Sequence, residues 1–125
     1  MALQCNQLLL KVSDLKVARD FYVVKLGLEI IENHPRMFAI RAGDVRFSIS
    51  EGSKPKEESD EDSAVTIMLR TSDLDHAVAE LNSRGVEFDG EIHTAPGFMR
   101  SISLRDPDRN QLYLTEYLRD PLMPV

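Results

Sequence analysis

Apolar residues along this chain change their spacing in a fixed order, and the order occurs twice. Leu8, Leu10 and Val12 alternate with Gln7, Leu9 and Lys11, the period of a half-buried strand. After Ser13-Asp14, the residues Leu15, Ala18, Phe21 and Tyr22 fall on one helical stripe that closes at Gly27. Period two returns at Phe38 and Ile40, and again at Val45, Phe47 and Ile49, with Gly43-Asp44 between them as a hairpin turn. The second half repeats the scheme. Ile67 and Leu69 alternate with Thr66, Met68 and Arg70, and after Ser72-Asp73 the stripe Leu74, Ala77, Val78 and Leu81 runs to Gly85. Ile102 and Leu104 then alternate with Ser101 and Ser103, and Leu112 and Leu114 with Tyr113 and Thr115. Asp106-Pro107-Asp108-Arg109-Asn110 is the turn between these last two strands.

The punctuation is physical. A serine or aspartate before a helix offers a side-chain oxygen to an orphan backbone N–H, and a glycine after it accepts the left-handed residue that ends the helix. Each half therefore predicts a strand, a helix and three more strands. The expected fold is α+β: two βαβββ modules forming a curved, mostly antiparallel, eight-stranded sheet with the helices on its convex face. A single domain over 1–125 is expected, with module one at 5–51, an acidic linker at 52–63, module two at 64–118 and a tail at 119–125. The aliphatic side chains face the helices, so the mixed set lines the concave face.

Composition narrows the partners. The 125 residues carry a net charge of −6, from 21 acidic and 15 basic side chains. That is the wrong sign for a duplex-binding face, which needs clustered lysine and arginine to displace counterions. No apolar run reaches membrane-span length, and Met1 to Asn6 shows no secretory pattern. The single cysteine, Cys5, has no partner for an internal disulfide, which suits a reducing, cytoplasmic setting. The run Glu57-Glu58-Ser59-Asp60-Glu61-Asp62 reads as a solvated loop.

The βαβββ repeat, the Val-Ser-Asp-Leu…Phe-Tyr…Leu-Gly-Leu pattern from Val12 to Leu28 and the Asp106-Pro107-Asp108 turn resemble the vicinal-oxygen-chelate superfamily. That superfamily comprises glyoxalases, bleomycin-resistance proteins and ring-cleaving dioxygenases. The resemblance implies four metal-ligand positions in the middle of concave strands, normally filled by His, Gln or Glu. Carried over by strand position, they fall on Gln7, Ser48 (with Phe47 or Arg46 as alternatives), Thr66 and Tyr113. Three of the four offer a neutral hydroxyl where a divalent ion wants imidazole or carboxylate. No metal and no other cofactor is therefore expected.

The concave face should present Gln7, Arg46, Ser48, Thr66, Met68, Arg70, Met99, Ser101 and Tyr113 to a small organic ligand, since hydroxyls and amides mixed with methionines suit a half-polar molecule. Arg41, Arg46 and Arg70 would clamp an oxyanion if their heads converge; the plainer reading has them reaching water. Tyr113 and His93 are the candidate catalytic residues, His93 standing near the flexible Pro96-Gly97 turn that would serve as a lid. His34 and His76 read as surface residues, and Glu51, Glu91 or His93 reaches the concave face only if a strand slips or a loop is misplaced. Two functions remain. The first is a metal-free binding module, with drug sequestration as a subtype weakened by the lack of tryptophan. The alternative is a glyoxalase-like lyase or isomerase, or a dioxygenase-related metalloenzyme with atypical ligands. The resemblance also implies a homodimer, which the apolar tail Leu122-Met123 would help to form.

Overall fold

A computed structural model of the chain describes residues 2–52 and 65–123; the acidic run from Glu57 to Asp62, most of the expected linker and the last two residues lie outside them. The chain divides into two compact units, Met1–Glu57 and Glu58–Val125.

In the first unit the order is β1 (Gln7–Val12), α1 (Leu15–Arg19), β2 (Glu29–His34), β3 (Met37–Ala42) and β4 (Val45–Glu51). In the second it is β5 (Ile67–Arg70), α2 (Leu74–Ser83), β6 (Phe88–Ala95), β7 (Met99–Arg105) and β8 (Gln111–Tyr117). Each unit forms one four-stranded sheet, with orders β1-β4-β3-β2 and β5-β8-β7-β6. The first strand of each lies parallel to the last, and the remaining neighbours are antiparallel. The eight expected strands are present, as two sheets of four.

Both helices start as their sequences predict. Asp14 accepts from the backbone N–H groups of Lys16 and Val17, and Asp73 from that of His76. Beyond Arg19 the first helix widens to a π-helical turn, Asp20–Lys25, in which the Leu26 N–H reaches back to the Phe21 carbonyl. Its stripe is buried as the spacing requires: Leu15, Ala18, Phe21 and Tyr22 all face the interior. Gly27 and Gly85 both take positive φ, 75° and 87°, where a side chain would be strained.

The helices pack on β4 and β8 respectively. Phe38, Ile40, Phe47 and Ile49 in the first unit, and Leu104, Leu112 and Leu114 in the second, make the cores beneath them. Burying each such side chain contributes on the order of 1.5–3 kcal/mol. With the aliphatic set committed to the helix side, the alternate residues of every strand are left on the helix-free face, and that face holds the candidate site.

Candidate functional site

Cross-strand register sorts the polar residues. On the first sheet Gln7 lies opposite Arg46, and Leu9 opposite Ser48. The uncertainty over β4 is thereby resolved: Ser48 and Arg46 share the helix-free face, while Phe47 is buried with the core. The Ser48 hydroxyl donates to Gln7 Oε1 at 2.5 Å. Arg46 Nε donates to the same Gln7 oxygen at 3.0 Å and to Ser48 Oγ at 3.1 Å, and its Nη1 lies 3.2 Å from Glu32 Oε1. The guanidinium, followed by the neighbouring imidazole of His34, holds the Glu32 carboxyl below the usual glutamate range.

This network tests the metal positions implied by the resemblance. Gln7 Oε1 already accepts from Arg46 and Ser48, so its two lone pairs are taken by donors, one of them cationic. Thr66 falls just before β5, its hydroxyl 3.5 Å from Gln111 Oε1, and Tyr113 accepts from Gln111 Nε2 at 3.2 Å. These four residues do not fit a divalent ion: they supply no anionic donor, and an organic cation already holds two of them. Among the described residues no group of three or more His, Cys, Asp or Glu is placed to hold a metal ion.

The second sheet carries a cavity of about 440 Å³ on its helix-free face. Met68 and Met99 give it apolar walls, and Ser101, Ser103 and Tyr113 give it hydroxyls. Met68 stands directly opposite Tyr113, and Tyr113 opposite Ser103, so these side chains converge by register alone. Of the expected ligand-binding residues, Met68, Met99, Ser101 and Tyr113 meet here. Gln7, Arg46 and Ser48 meet one another on the first sheet. Thr66 and Arg70 do not line the cavity; the Arg70 guanidinium stacks over the Tyr117 ring, 5.5 Å from its centre.

The remaining wall corrects the expectation that the face lacks carboxylate and imidazole. Asp89, Glu91 and His93, all on β6, line the cavity. The strand bulges between Asp89, opposite Ser103, and His93, opposite Ser101, with Gly90 at φ 80°. The bulge absorbs two residues yet keeps Asp89 and His93 on one face, so no slip or misplaced loop is needed. A signal was present in the alternation of Asp89, Glu91 and His93 with Gly90, Ile92 and Thr94, but a strand with so few aliphatic residues is easily passed over. The two candidate catalytic residues, Tyr113 and His93, do line one cavity.

Other expectations resolve as structure. Glu51 Oε1 accepts from the Leu15 N–H at 3.4 Å, on the helix side of its sheet and away from the polar face. Arg41 and Arg46 are each engaged by a carboxylate of β2, Glu29 and Glu32, rather than pooled into one clamp. His34 and His76 are exposed and sit beside Glu32 and Glu80. The Pro96-Gly97 turn is tied down rather than free as a lid: the Leu118 N–H donates to the Phe98 carbonyl at 2.6 Å, and Phe98 packs between Tyr117 and the Arg119 guanidinium.

The fold is shared with known structures. A glyoxalase/bleomycin resistance protein/dioxygenase from Alicyclobacillus acidocaldarius superposes with a TM-score of 0.77 at 21% identity, covering 97% of this chain and 96% of that one. A lactoylglutathione lyase from Agrobacterium tumefaciens does so at 0.70 and 21%, covering 90% and 92%. An antibiotic binding protein from a Streptomyces species reaches 0.74 at 26% identity, covering 94% and 98%. No curated protein matches the sequence significantly. The family model of the Glyoxalase/Bleomycin resistance protein/Dioxygenase superfamily matches residues 4–114, and the two βαβββ units reproduce its architecture: the chain belongs to that superfamily.

Proposed function

We propose that this protein is a metal-free small-molecule-binding module that holds an organic ligand against the helix-free face of its second sheet. The observation that carries the reading is the cavity of about 440 Å³, which joins methionine walls to hydroxyl and acidic groups. That volume and that mixture are those of a pocket for a half-polar organic molecule. The likeness to an antibiotic binding protein at 26% identity supports drug sequestration as one form of the activity.

A second reading is favoured by one specific feature. Glu91 and His93 share the cavity with Tyr113, so a candidate base and a candidate hydrogen-bond donor face the same space. A glyoxalase-like lyase or isomerase would use the first to take a proton and the second to steady the resulting oxyanion.

A thermal-shift and calorimetric screen of small organic acids, amines and drugs separates the two, because a ligand that binds only the folded state raises its stability. The binding module predicts a saturable ligand, recovered unchanged, whose affinity falls in Ser101→Ala and Tyr113→Phe. A ligand converted to product at a rate abolished in His93→Ala or Glu91→Gln would replace that reading with the enzyme. Saturable ligands indifferent to all four variants would remove both. The same proposal takes the protein as a cytoplasmic homodimer in which a second copy covers the exposed Leu122 and Met123. Sedimentation velocity of the protein and of a double Leu122→Ser, Met123→Ser variant checks the dimer.

A further inference from the structure

The walls of the second-unit cavity differ in charge, and the difference selects a ligand. Neither lysine nor arginine lines it, while two carboxylates, Asp89 and Glu91, do. Asp89 is partly answered by Arg105, whose Nε lies 3.7 Å from Oδ2. Glu91 has no cationic partner among the described residues. Ser101 supplies an independent observation. It is only 5% exposed, it lines the cavity, and its hydroxyl makes no hydrogen bond among the described residues. A hydroxyl so placed opens only onto the cavity, where it is free to hydrogen-bond to whatever occupies that space.

Building on the binding reading above, we propose that the ligand of this cavity is an amphipathic amine: its ammonium lies against Glu91 and the Ser101 hydroxyl, and its apolar body between Met68 and Met99. An ammonium carries three donors and no acceptor, which matches a carboxylate and a hydroxyl oxygen. Charge-assisted hydrogen bonds are about twice as strong as neutral ones, so the amine outcompetes a neutral molecule of the same shape. A carboxylate-bearing ligand is repelled by Asp89 and Glu91 and finds neither lysine nor arginine lining the cavity. Thioether side chains adapt to an apolar body of varied outline, so the charge, more than the shape, sets the class.

The test uses the full chain with its methionine methyl groups labelled for NMR, titrated at millimolar concentration with 2-phenylethylamine, 2-phenylethanol and 3-phenylpropionate. The amine is expected to move the Met68 and Met99 methyl signals and to bind about tenfold more tightly than the alcohol. Glu91→Gln is expected to bring the amine down to the level of the alcohol, and Ser101→Ala to weaken both. Glu91 is exposed on its strand, so that variant keeps the fold. An alcohol or carboxylate that moves the same methyls with equal or greater affinity overturns the amine class and leaves the binding module standing. Failure of all three probes to move either signal overturns the binding module as well.

Discussion

At Arg46, three side-chain acceptors surround one guanidinium: Gln7 Oε1, Ser48 Oγ and Glu32 Oε1. The guanidinium is partly exposed, and its contact with Glu32, followed by that of His34, holds the Glu32 carboxyl below its usual range. Because the folded carboxyl is the stronger acid, its contribution is present above about pH 4.3 and is lost as the pH falls through the lower, folded value. Glu32→Gln should therefore flatten the acid limb of a stability-against-pH profile measured by urea unfolding, with little change near neutrality beyond the lost ion pair. A profile of unchanged slope would show that the pairing does not persist in solution. Asp106 is a different case, a buried carboxylate serving its own turn. It accepts from the backbone N–H groups of Asp108 and Asn110, and from the Asn110 side chain. Asp106→Ala leaves those donors unmet and should cost roughly 2–3 kcal/mol in urea unfolding. The Asp-Pro-Asp signature is thus legible in the sequence as a turn, and its role is to join β7 to β8 so that Ser103 and Tyr113 face each other.

Among the elements, the repeat runs deeper than the shared Ser-Asp-Leu. Each helix has its aspartate cap, and each receives a second carboxylate from the last strand of its unit: Glu51 to the Leu15 N–H and Glu116 to the Leu74 N–H. Helix starts favour negative charge, so these two glutamates tie the helix to the strand it packs on. In the second unit Arg100 extends the tie, its guanidinium bidentate on Asp75 at 3.0 and 3.2 Å and also 3.3 Å from Glu116. That pairing holds the Asp75 carboxyl below the usual aspartate pKa and pushes the Arg100 guanidinium above its own. Asp73→Ala should lower stability by about 1 kcal/mol. Glu116→Ala should lower it further, since it removes the helix contact and one of the carboxylates that hold Arg100. Urea midpoints at unchanged m-value check both, and equal losses would show that the Glu116 link contributes nothing beyond a cap. Glu51 and Glu116 sit on strands whose period-two pattern was plain, but a glutamate at a strand end has no local mark telling helix cap from ligand.

For the whole molecule, the superfamily scaffold is kept while its metal positions carry a guanidinium network and neutral hydroxyls. Protein purified without chelator should hold far less than one equivalent of Ni, Zn, Mn or Fe, and none of these ions should give a saturable thermal shift. A near-stoichiometric metal would reinstate the metalloenzyme. The chain's own pattern determined the repeat, the helix stripes, the caps and the alternation of faces along the strands rich in aliphatic residues, because periods of two and near 3.6 are local consequences of backbone geometry. It placed Gln7 and Tyr113 on helix-free faces, while the choice of Ser48 over Phe47 waited on the pairing of β4 with β1. Tertiary structure alone decided what those residues meet. Arg46 came to Gln7 through a parallel pairing of strands far apart in the sequence. Asp89, Glu91 and His93 reached the cavity through a bulge whose register depends on β7. Local propensity cannot specify such a pairing, since the energy that selects it comes from burying the opposite face of the sheet.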